Sequence, residues 1–209
     1  QIPLEDFFRN PEKTAFQLSP NGEYFSYLAP WESRLNVFVQ KTGEETATRI
    51  TSETERDIAG YLWKGNDRLL FLKDTGGDEN FHMYGVNADG SELKGLTVFE
   101  KVRTTFIDDL KEDEDEVIVG LNQRDNTVFD PYRINVITGE MTMLAENPGN
   151  IMGWMTDHDG QLRLGITSDG VNNTILYRDT EEEDFRPVLT TSFKETVSPV
   201  IFTFDNQMV

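Results

Sequence analysis

Residues 58–97 read IAGYLWKGNDRLLFLKDTGGDENFHMYGVNADGSELKGLT. Short runs of aliphatic and aromatic residues alternate here with polar turns at Asn66-Asp67 and Asp89-Gly90. Gly, Asn and Asp favour such turns because they tolerate positive φ or hydrogen bond to the nearby backbone. The stretch therefore predicts four antiparallel strands, at 58–63, 68–73, 81–87 and 92–96.

The same pattern of turn residues recurs along the whole chain, at intervals of about 44 to 49 residues. A first class of turn lies at Asn21-Gly22, Asn66-Asp67, Asp113-Glu114-Asp115 and Asp159-Gly160. A second class lies at Thr42-Gly43, Asp89-Gly90, Thr138-Gly139 and the acidic run 181–184. A repeat of this length with four strands is typical of a β-propeller blade. An immunoglobulin-like sandwich has similarly spaced turns but no such higher period.

The repeat sets the expected organisation of the chain. We predict an all-β fold: a β-propeller segment of about four four-stranded antiparallel blades plus the first strand of a fifth. A leader segment spans 1–14 and the partial propeller spans 15–209, with blades at 15–51, 58–97, 102–147 and 151–190 and the next blade starting at 199–204. In the leader, Leu4, Phe7 and Phe8 share one face of a short helix at 3–8 that Pro11 ends.

Composition limits the classes of partner. Nineteen basic and 38 acidic residues give a formal net charge of −19, which repels phosphate backbones and argues against nucleic acid as a partner. No apolar run reaches the roughly 18 residues of a membrane span, so no membrane span is predicted. The chain has no cysteine, which leaves no disulfide and no thiolate metal site. Its first residue, Gln1, suggests cleavage of a signal peptide, and we expect an exported protein, periplasmic or secreted.

The sequence offers no catalytic machinery. No glycine begins the G-x-S-x-G motif of a nucleophile elbow. The two histidines, His82 and His158, fall in a strand and in a hairpin turn, where structural roles are expected. Asp157-His158-Asp159-Gly160 resembles the start of a calcium loop, but no acid follows at the EF-hand spacing and a tight turn explains it better. We therefore predict no catalytic, cofactor-binding or metal residue and no cofactor, and the substrate-binding residues stay unknown.

Other features have structural interpretations too. The acidic runs 112–116 and 181–184 fall at turns, where solvated charge discourages edge-to-edge pairing of sheets. Trp63 and Trp154 end first strands in their blades, where we expect them to pack between blades rather than to contact a ligand. Asn172-Asn173-Thr174 fits a glycosylation acceptor, which matters only in a eukaryotic secretory pathway.

Three stretches carry a resemblance to a known family. Leu18-Ser-Pro-Asn-Gly-Glu-Tyr24 resembles the blade opening of TolB-like and peptidase propellers. Gly77-Asp-Glu-Asn-Phe-His-Met-Tyr84 and Leu121-Asn-Gln-Arg-Asp-Asn-Thr-Val-Phe-Asp-Pro-Tyr-Arg-Ile-Asn135 are more specific. Together they resemble the N-terminal propeller of the prolyl oligopeptidase family of serine peptidases, in its acylaminoacyl-peptidase and dipeptidyl-peptidase branch. The resemblance covers nearly the whole chain.

That resemblance implies a seven- or eight-bladed propeller that caps an α/β-hydrolase domain and restricts access to it. The hydrolase domain holds the catalytic triad, none of whose motifs occurs here, so no catalytic role carries over. Some dipeptidyl-peptidase relatives hold the substrate amino terminus with paired glutamates, and Glu181-Glu182-Glu183 does not match that motif. The expected parent protein is thus a serine peptidase that acts on peptide substrates through a hydrolase domain absent from this chain.

Two alternatives remain at this point. The first is a stand-alone TolB-like or WD-repeat-like propeller that binds a protein partner. The second is a carbohydrate-active propeller enzyme, which needs acid and base carboxylates in its channel. In any of these, a propeller that is not closed leaves apolar blade faces bare, so we expect self-association of the chain through its open ends.

Overall fold

The computed structural model describes residues 2–8, 12–195 and 197–207. The chain forms two compact units, Gln1–Arg103 and Thr104–Val209. Each unit contains two four-stranded antiparallel sheets, and in every sheet the strands lie side by side in chain order. Neighbouring strands are joined by short hairpin turns, so each sheet is a simple meander, as the repeat predicts.

The first unit opens with a 3-10 helix, Leu4–Phe7, and continues with two sheets. The first sheet consists of β1 (Thr14–Leu18), β2 (Tyr24–Trp31), β3 (Arg34–Lys41) and β4 (Ala47–Arg49). The second consists of β5 (Gly60–Lys64), β6 (Arg68–Lys73), β7 (His82–Asn87) and β8 (Lys94–Gly95).

The second unit repeats this arrangement. The third sheet consists of β9 (Thr104–Asp108), β10 (Glu116–Asp125), β11 (Val128–Asn135) and β12 (Met141–Met143). The fourth consists of β13 (Ile151–Thr156), β14 (Leu162–Ser168), β15 (Asn172–Tyr177) and β16 (Arg186–Ser192). The predicted fold class is confirmed: described residues outside the short helix form strands, turns and connections.

The core of the first unit lies between its two sheets. Leu28, Val37 and Val39 of the first sheet share one buried cluster with Leu69 and Phe71 of the second. This follows from the alternation of the strands, since every second side chain of β2 and β3 points to the same face. Burial of large apolar side chains such as these contributes about 1.5 to 3 kcal/mol each.

The turn at Ser19-Pro20-Asn21-Gly22 behaves as its sequence predicts. The Gly22 amide donates to the Ser19 carbonyl at 2.9 Å, and Gly22 has a φ of +72°. Asn21 Oδ1 accepts a hydrogen bond from the Glu23 amide at 3.0 Å. Gly is favoured at position 22 because a Cβ penalises this left-handed conformation.

Two predicted elements differ from the structure. The leader helix is a single 3-10 turn, Leu4–Phe7, with its apolar side chains exposed; Pro11, expected to end it, lies outside the described residues. Residues 199–204 were expected to form a strand, but they pair with no strand. A strand requires a hydrogen-bonded neighbour, and none of the described strands pairs with these residues.

Residues 199–207 nevertheless fold against the fourth sheet. Phe202 is 3% exposed and packs on Leu164 and Ile175. The chain then turns, with the Asn206 amide donating to the Thr203 carbonyl at 2.8 Å. Asn206 lies 47 residues after Asp159, so this turn continues the first class of turns at the spacing of the repeat.

Candidate functional site

A cavity of about 830 Å³ opens in the second unit, where β9 and β13 end. These are the first strands of the third and fourth sheets, and they meet where Thr156 Oγ1 hydrogen bonds to Asp108 Oδ2. We call this cavity the acidic cleft. Segment 200–202 forms part of its wall.

The acidic cleft combines apolar and charged walls. The apolar side chains are Ile107, Leu110, Trp154, Met155, Val200, Ile201 and Phe202, and the carboxylates are those of Asp108, Asp109, Glu112, Asp113, Asp157 and Asp159. Lys111, Arg133 and His158 also line it. Apolar walls with a few converging polar groups are typical of ligand sites.

The positive charge of Arg133 is neutralised by two carboxylates that are not part of the cleft lining. Its guanidinium lies 3.2 Å from Glu116 Oε2 and 2.9 Å from Glu181 Oε1. This leaves the carboxylates of the lining balanced chiefly by Lys111 and by Arg163, which binds Asp157 at 3.0 Å. The cleft therefore presents a negative potential to solvent.

Several of these carboxylates hold the turns that carry them. Asp157 Oδ1 accepts hydrogen bonds from the Asp159 and Gln161 amides at 3.0 and 2.9 Å. Asp159 Oδ2 accepts a hydrogen bond from Asn206 Nδ2 at 2.9 Å. Asp157-x-Asp159-Gly160 is thus a tight turn, and in the described part of the chain no three His, Cys, Asp or Glu side chains group in a way that holds a metal ion.

Arg163 anchors the segment 200–206, whose first part forms a wall of the acidic cleft. The guanidinium is buried, donates to the Asn206 carbonyl at 2.8 Å and lies 5.2 Å from the Phe202 ring centroid. Burial lowers its pKa, but the hydrogen bond to Asp157 and the charges of Tyr177 and Asp157 outweigh this, and the pKa of Arg163 is raised. The anchor therefore stays charged across the accessible pH range.

The two histidines lie in different units and have structural contacts. His82 is buried, and its Nε2 is 3.1 Å from the Phe99 carbonyl oxygen. His158 is exposed at the rim of the acidic cleft, with Nε2 2.9 Å from the Phe202 carbonyl oxygen and its ring stacked on Phe204. Within residues 2–8, 12–195 and 197–207, neither ring is hydrogen bonded to a hydroxyl or a carboxylate, as a nucleophile with its base requires.

The two tryptophans singled out from the sequence, Trp63 and Trp154, differ in their surroundings. Trp63 is buried between the first and second sheets and its Nε1 donates to Ser26 Oγ at 2.8 Å, which is the packing that the sequence predicts. Trp154 instead lines the acidic cleft, tilted on Phe185 at 5.5 Å between ring centroids. The expectation for Trp154 was therefore incomplete, because Trp154 belongs to β13, one of the two first strands that border the cleft.

The acidic run 181–184 was interpreted as solvated charge at a turn, and this is wrong for Glu181. Its Oε1 accepts hydrogen bonds from the Leu162 amide at 2.8 Å and from Arg133 at 2.9 Å. A carboxylate with two such donors joins the third sheet to the fourth. Asn172, in the glycosylation motif, donates through Nδ2 to Asp169 Oδ2 at 3.1 Å.

Sequence reasoning did not find the acidic cleft. Asp113 and Asp159 belong to the same class of turn in consecutive repeats, and the fold places both in the cleft lining. The equivalent positions of Asp113 and Asp159 in their repeats were the sequence signal that could have predicted the cleft. Recognising it requires knowing that equivalent turns of neighbouring blades lie at the same edge.

No family model matches the chain. It is 32% identical over 201 residues to dipeptidyl aminopeptidase BIII of Pseudoxanthomonas mexicana, a match that covers 91% of this chain and 29% of that protein. The chain is homologous to the dipeptidyl-peptidase branch of the prolyl oligopeptidase family. The resemblance stated from the sequence is thereby confirmed.

Two further proteins agree with this. Dipeptidyl peptidase family member 6 of Caenorhabditis elegans is 27% identical over 194 residues, covering 88% of the chain and 26% of that protein. A solved prolyl endopeptidase structure superposes with a TM-score of 0.61 at 9% identity over 86% of this chain and 30% of the other, which shows the propeller fold alone. The chain thus spans less than a third of the length of the curated peptidases that it matches.

In the helical part of the described ranges nothing has the length and hydrophobicity of a membrane-spanning helix.

Proposed function

We propose that this chain is the non-catalytic propeller portion of a serine peptidase and gates the access of peptides to an α/β-hydrolase domain that the chain does not contain. The observation that supports it is the 32% identity to a dipeptidyl aminopeptidase over nearly the whole chain but under a third of that enzyme. The described histidines also lack the contacts of a triad.

Gating follows from the stiffness of the sheets. Every sheet has four strands held together by backbone hydrogen bonds, so a folded protein cannot push them apart without breaking those bonds. An unfolded peptide needs only a narrow passage. A propeller of this kind selects substrates by size, without contributing a group to the bond-breaking step.

The acidic cleft adds a charge preference to this role. Its carboxylates and the ring of Trp154 favour a positively charged peptide group, because cations are attracted both by carboxylates and by the face of an aromatic ring. We infer that peptides with Lys or Arg side chains concentrate at the cleft, and that this attraction weakens as salt screens it.

The first experiment reads the gene beyond the codon for Val209 and assays the protein that it encodes. Further blades followed by G-x-S-x-G are expected, together with peptidase activity of the longer product. The 209-residue chain alone is expected to hydrolyse no aminoacyl or dipeptidyl chromogenic substrate. Turnover by the isolated chain that survives repurification and is blocked by a serine-directed phosphonate contradicts the proposal. A gene that ends after the blades supports the rival function, a stand-alone binding propeller.

The second experiment tests gating in the longer product. We expect short peptides to be cleaved and the same sequences to resist cleavage when they are placed in a loop of a folded carrier protein. Equal cleavage of both rules out gating while leaving the peptidase assignment intact. Export of the protein stays a prediction.

A further inference from the structure

Trp154 presents an aromatic ring to the acidic cleft where the third and fourth sheets meet. It lies on β13 and pairs in register with Gly165 of β14. A Cβ added at Gly165 would lie only 3.4 Å from Trp154 Cζ3, so the indole lies close to the backbone of β14. A larger residue at position 165 would displace the ring. The strand therefore covers one side of the indole, and the indole also lines the cleft.

Phe185 supports the same ring from outside the cleft lining. Its ring centroid lies 5.5 Å from that of Trp154, and the two planes are 53° apart. On its other contact, the guanidinium of Arg178 lies 4.5 Å from the Phe185 centroid. Arg178 is itself buried, and its Nε donates to the Leu162 carbonyl at 2.7 Å. The Trp154 ring is therefore held by groups that are fixed in the fold before a ligand binds.

A carboxylate lies on the same side of β13 as the Trp154 ring. Thr156 follows Trp154 by two positions, and side chains at this spacing project to the same side of a strand. Thr156 Oγ1 donates to Asp108 Oδ2, and the Leu110 amide donates to Asp108 Oδ1 at 2.8 Å. These two donors orient the carboxylate but use only two of its roughly four lone-pair sites. Asp108 therefore keeps acceptor capacity for a ligand.

This part of the cleft holds no cation of its own on Asp108. Within the described ranges no basic side chain forms an ion pair with Asp108, and Arg133, which also lines the cleft, pairs instead with Glu116 and Glu181. Asp108 and Trp154 come from the third and fourth sheets, and both sheets have all four strands in this chain. The pair is therefore formed between two complete sheets.

An aromatic ring beside a carboxylate without a cation matches the chemistry of an arginine side chain. A guanidinium is planar and weakly hydrated, so it stacks on an indole while its edge donates hydrogen bonds to a carboxylate. A lysine ammonium is compact and strongly hydrated and has no planar face to stack. The cleft, at about 830 Å³, has room for such a side chain and the peptide residues that flank it.

We propose that Trp154 and Asp108 form a subsite for an arginine side chain of a bound peptide, and that Phe185 positions the Trp154 ring. This deepens the proposed function and rests on it for the peptide nature of the ligand. It adds a preference for arginine over lysine, because a negative potential alone attracts both cations equally.

The test measures binding of three blocked tripeptides to the 209-residue chain at low salt. The peptides are acetyl-Ala-X-Ala-amide with arginine, lysine or citrulline as X, and citrulline is the uncharged analogue of arginine. Blocked ends exclude binding through a terminal charge. Titration calorimetry is expected to give the arginine peptide at least about threefold higher affinity than the lysine peptide, with no binding of citrulline. The arginine peptide is also expected to change the tryptophan fluorescence.

Variants of the two subsite residues locate the binding. Trp154→Leu is expected to weaken binding of the arginine peptide by roughly three- to thirtyfold and to abolish the fluorescence change. Trp154→Phe keeps a ring and is expected to retain part of the affinity. Asp108→Asn keeps acceptor oxygen and shape but loses the charge, and about tenfold weaker binding is expected. Thermal melts of each variant verify folding.

Glu112→Gln is the matched control for charge. Glu112 lines the same cleft and is exposed, and its substitution removes the same single charge as Asp108→Asn. Because an exposed carboxylate contributes little to an ion pair, the affinity of this variant is expected to stay within about twofold of wild type.

Phe185→Leu tests the positioning role. It is expected to lower the affinity for the arginine peptide and to leave that for the lysine peptide within about twofold, so that the preference for arginine is lost. Phe185→Tyr keeps the ring and is expected to restore the preference. A structural defect alone would lower both affinities together.

Three results overturn the proposal. The first is equal affinity of the arginine and lysine peptides, and the second is an equal loss in Asp108→Asn and Glu112→Gln, which shows diffuse attraction. The third is binding of the arginine peptide that Trp154→Leu leaves unchanged. None of these bears on the peptidase assignment, which the gene sequence and the hydrolysis assay test separately. A gene that ends after the blades would reject the peptidase and leave these binding results valid.

Discussion

The Arg133 guanidinium of β11 donates to Glu181 Oε1 of the fourth sheet at 2.9 Å, and both side chains are 18% exposed. The same carboxylate oxygen accepts from the Leu162 amide, and Arg133 also donates to the Gly160 carbonyl at 2.9 Å. The ion pair therefore connects the third sheet, the hairpin turn of the fourth and the acidic run in one network.

Glu181→Ala is expected to destabilise the protein by about 1 to 3 kcal/mol, because it leaves the Leu162 amide without its acceptor and removes one of the two carboxylates that pair with Arg133. Glu183→Ala removes an exposed ion pair with Arg186 in the same run and is expected to cost only about 0 to 1 kcal/mol. Urea unfolding followed by circular dichroism measures both. Equal losses in the two variants show that Glu181 has no joining role.

Phe202→Ala is expected to cost about 3 to 5 kcal/mol, because the ring is buried on Leu164 and Ile175 and its removal leaves a cavity. Phe204, two residues later, is fully exposed, and Phe204→Ala is expected to lie within about 0.5 kcal/mol of wild type. Thermal unfolding compares the pair. A Phe202→Ala variant as stable as wild type means that residues 199–207 do not pack on the fourth sheet.

Gly22→Ala is expected to destabilise by roughly 1 kcal/mol through the backbone alone, since φ is +72° and no atom lies within 4 Å of an added Cβ. Gly60 also has open space, but its φ is outside the left-handed range. Gly60→Ala is therefore expected to be neutral or stabilising. The difference between the urea unfolding midpoints of the two variants measures the cost of a Cβ at positive φ. Equal midpoints rule out such a cost.

Stability is expected to fall on acidification below about pH 4. The Asn172 and Val171 amides donate to the Asp169 carboxylate and lower its pKa, and Thr127 does the same for Asp125. A carboxyl whose folded pKa lies below the unfolded value of about 4 stabilises above that value. The stabilisation is lost as pH falls through the folded pKa.

Urea unfolding at pH values from 7 to 3 checks this acid dependence. Asp169→Asn keeps an acceptor oxygen but does not titrate, so its stability is expected to fall less steeply between pH 4 and 3 than that of wild type. An identical acid dependence of the two proteins excludes Asp169 as a contributor.

The strands and turns were predictable because the signals are local. Alternation in β10 and β14 and the Gly, Asn and Asp residues at the hairpins depend only on the conformational preferences of adjacent residues. The positive φ of Gly22 follows in the same way. The extent of β8 was less predictable: 92–96 was expected, whereas only Lys94–Gly95 form the strand, since the end of an outer strand depends on its single neighbour.

The candidate site was not predictable, since it depends on contacts between residues far apart in sequence. Asp108 and Thr156 are separated by 48 positions, and Arg133 and Glu181 by the same number. From the local sequence alone, the run 181–184 is interpreted as a solvated acidic turn. Only packing of the fourth sheet beside the third places Glu181 within reach of Arg133.

By itself, the sequence determined the repeat, the four-stranded blades and the kinship with peptidase propellers, because period, turn residues and motifs are properties of the chain order. The tertiary structure decided which carboxylates line a cleft, which tryptophan borders it, and that residues 199–207 pack as an unpaired segment. The physical reason is that a cleft and an ion pair need side chains from different repeats, as Asp108 and Thr156 or Arg133 and Glu181 show, and only the packed fold brings those repeats together.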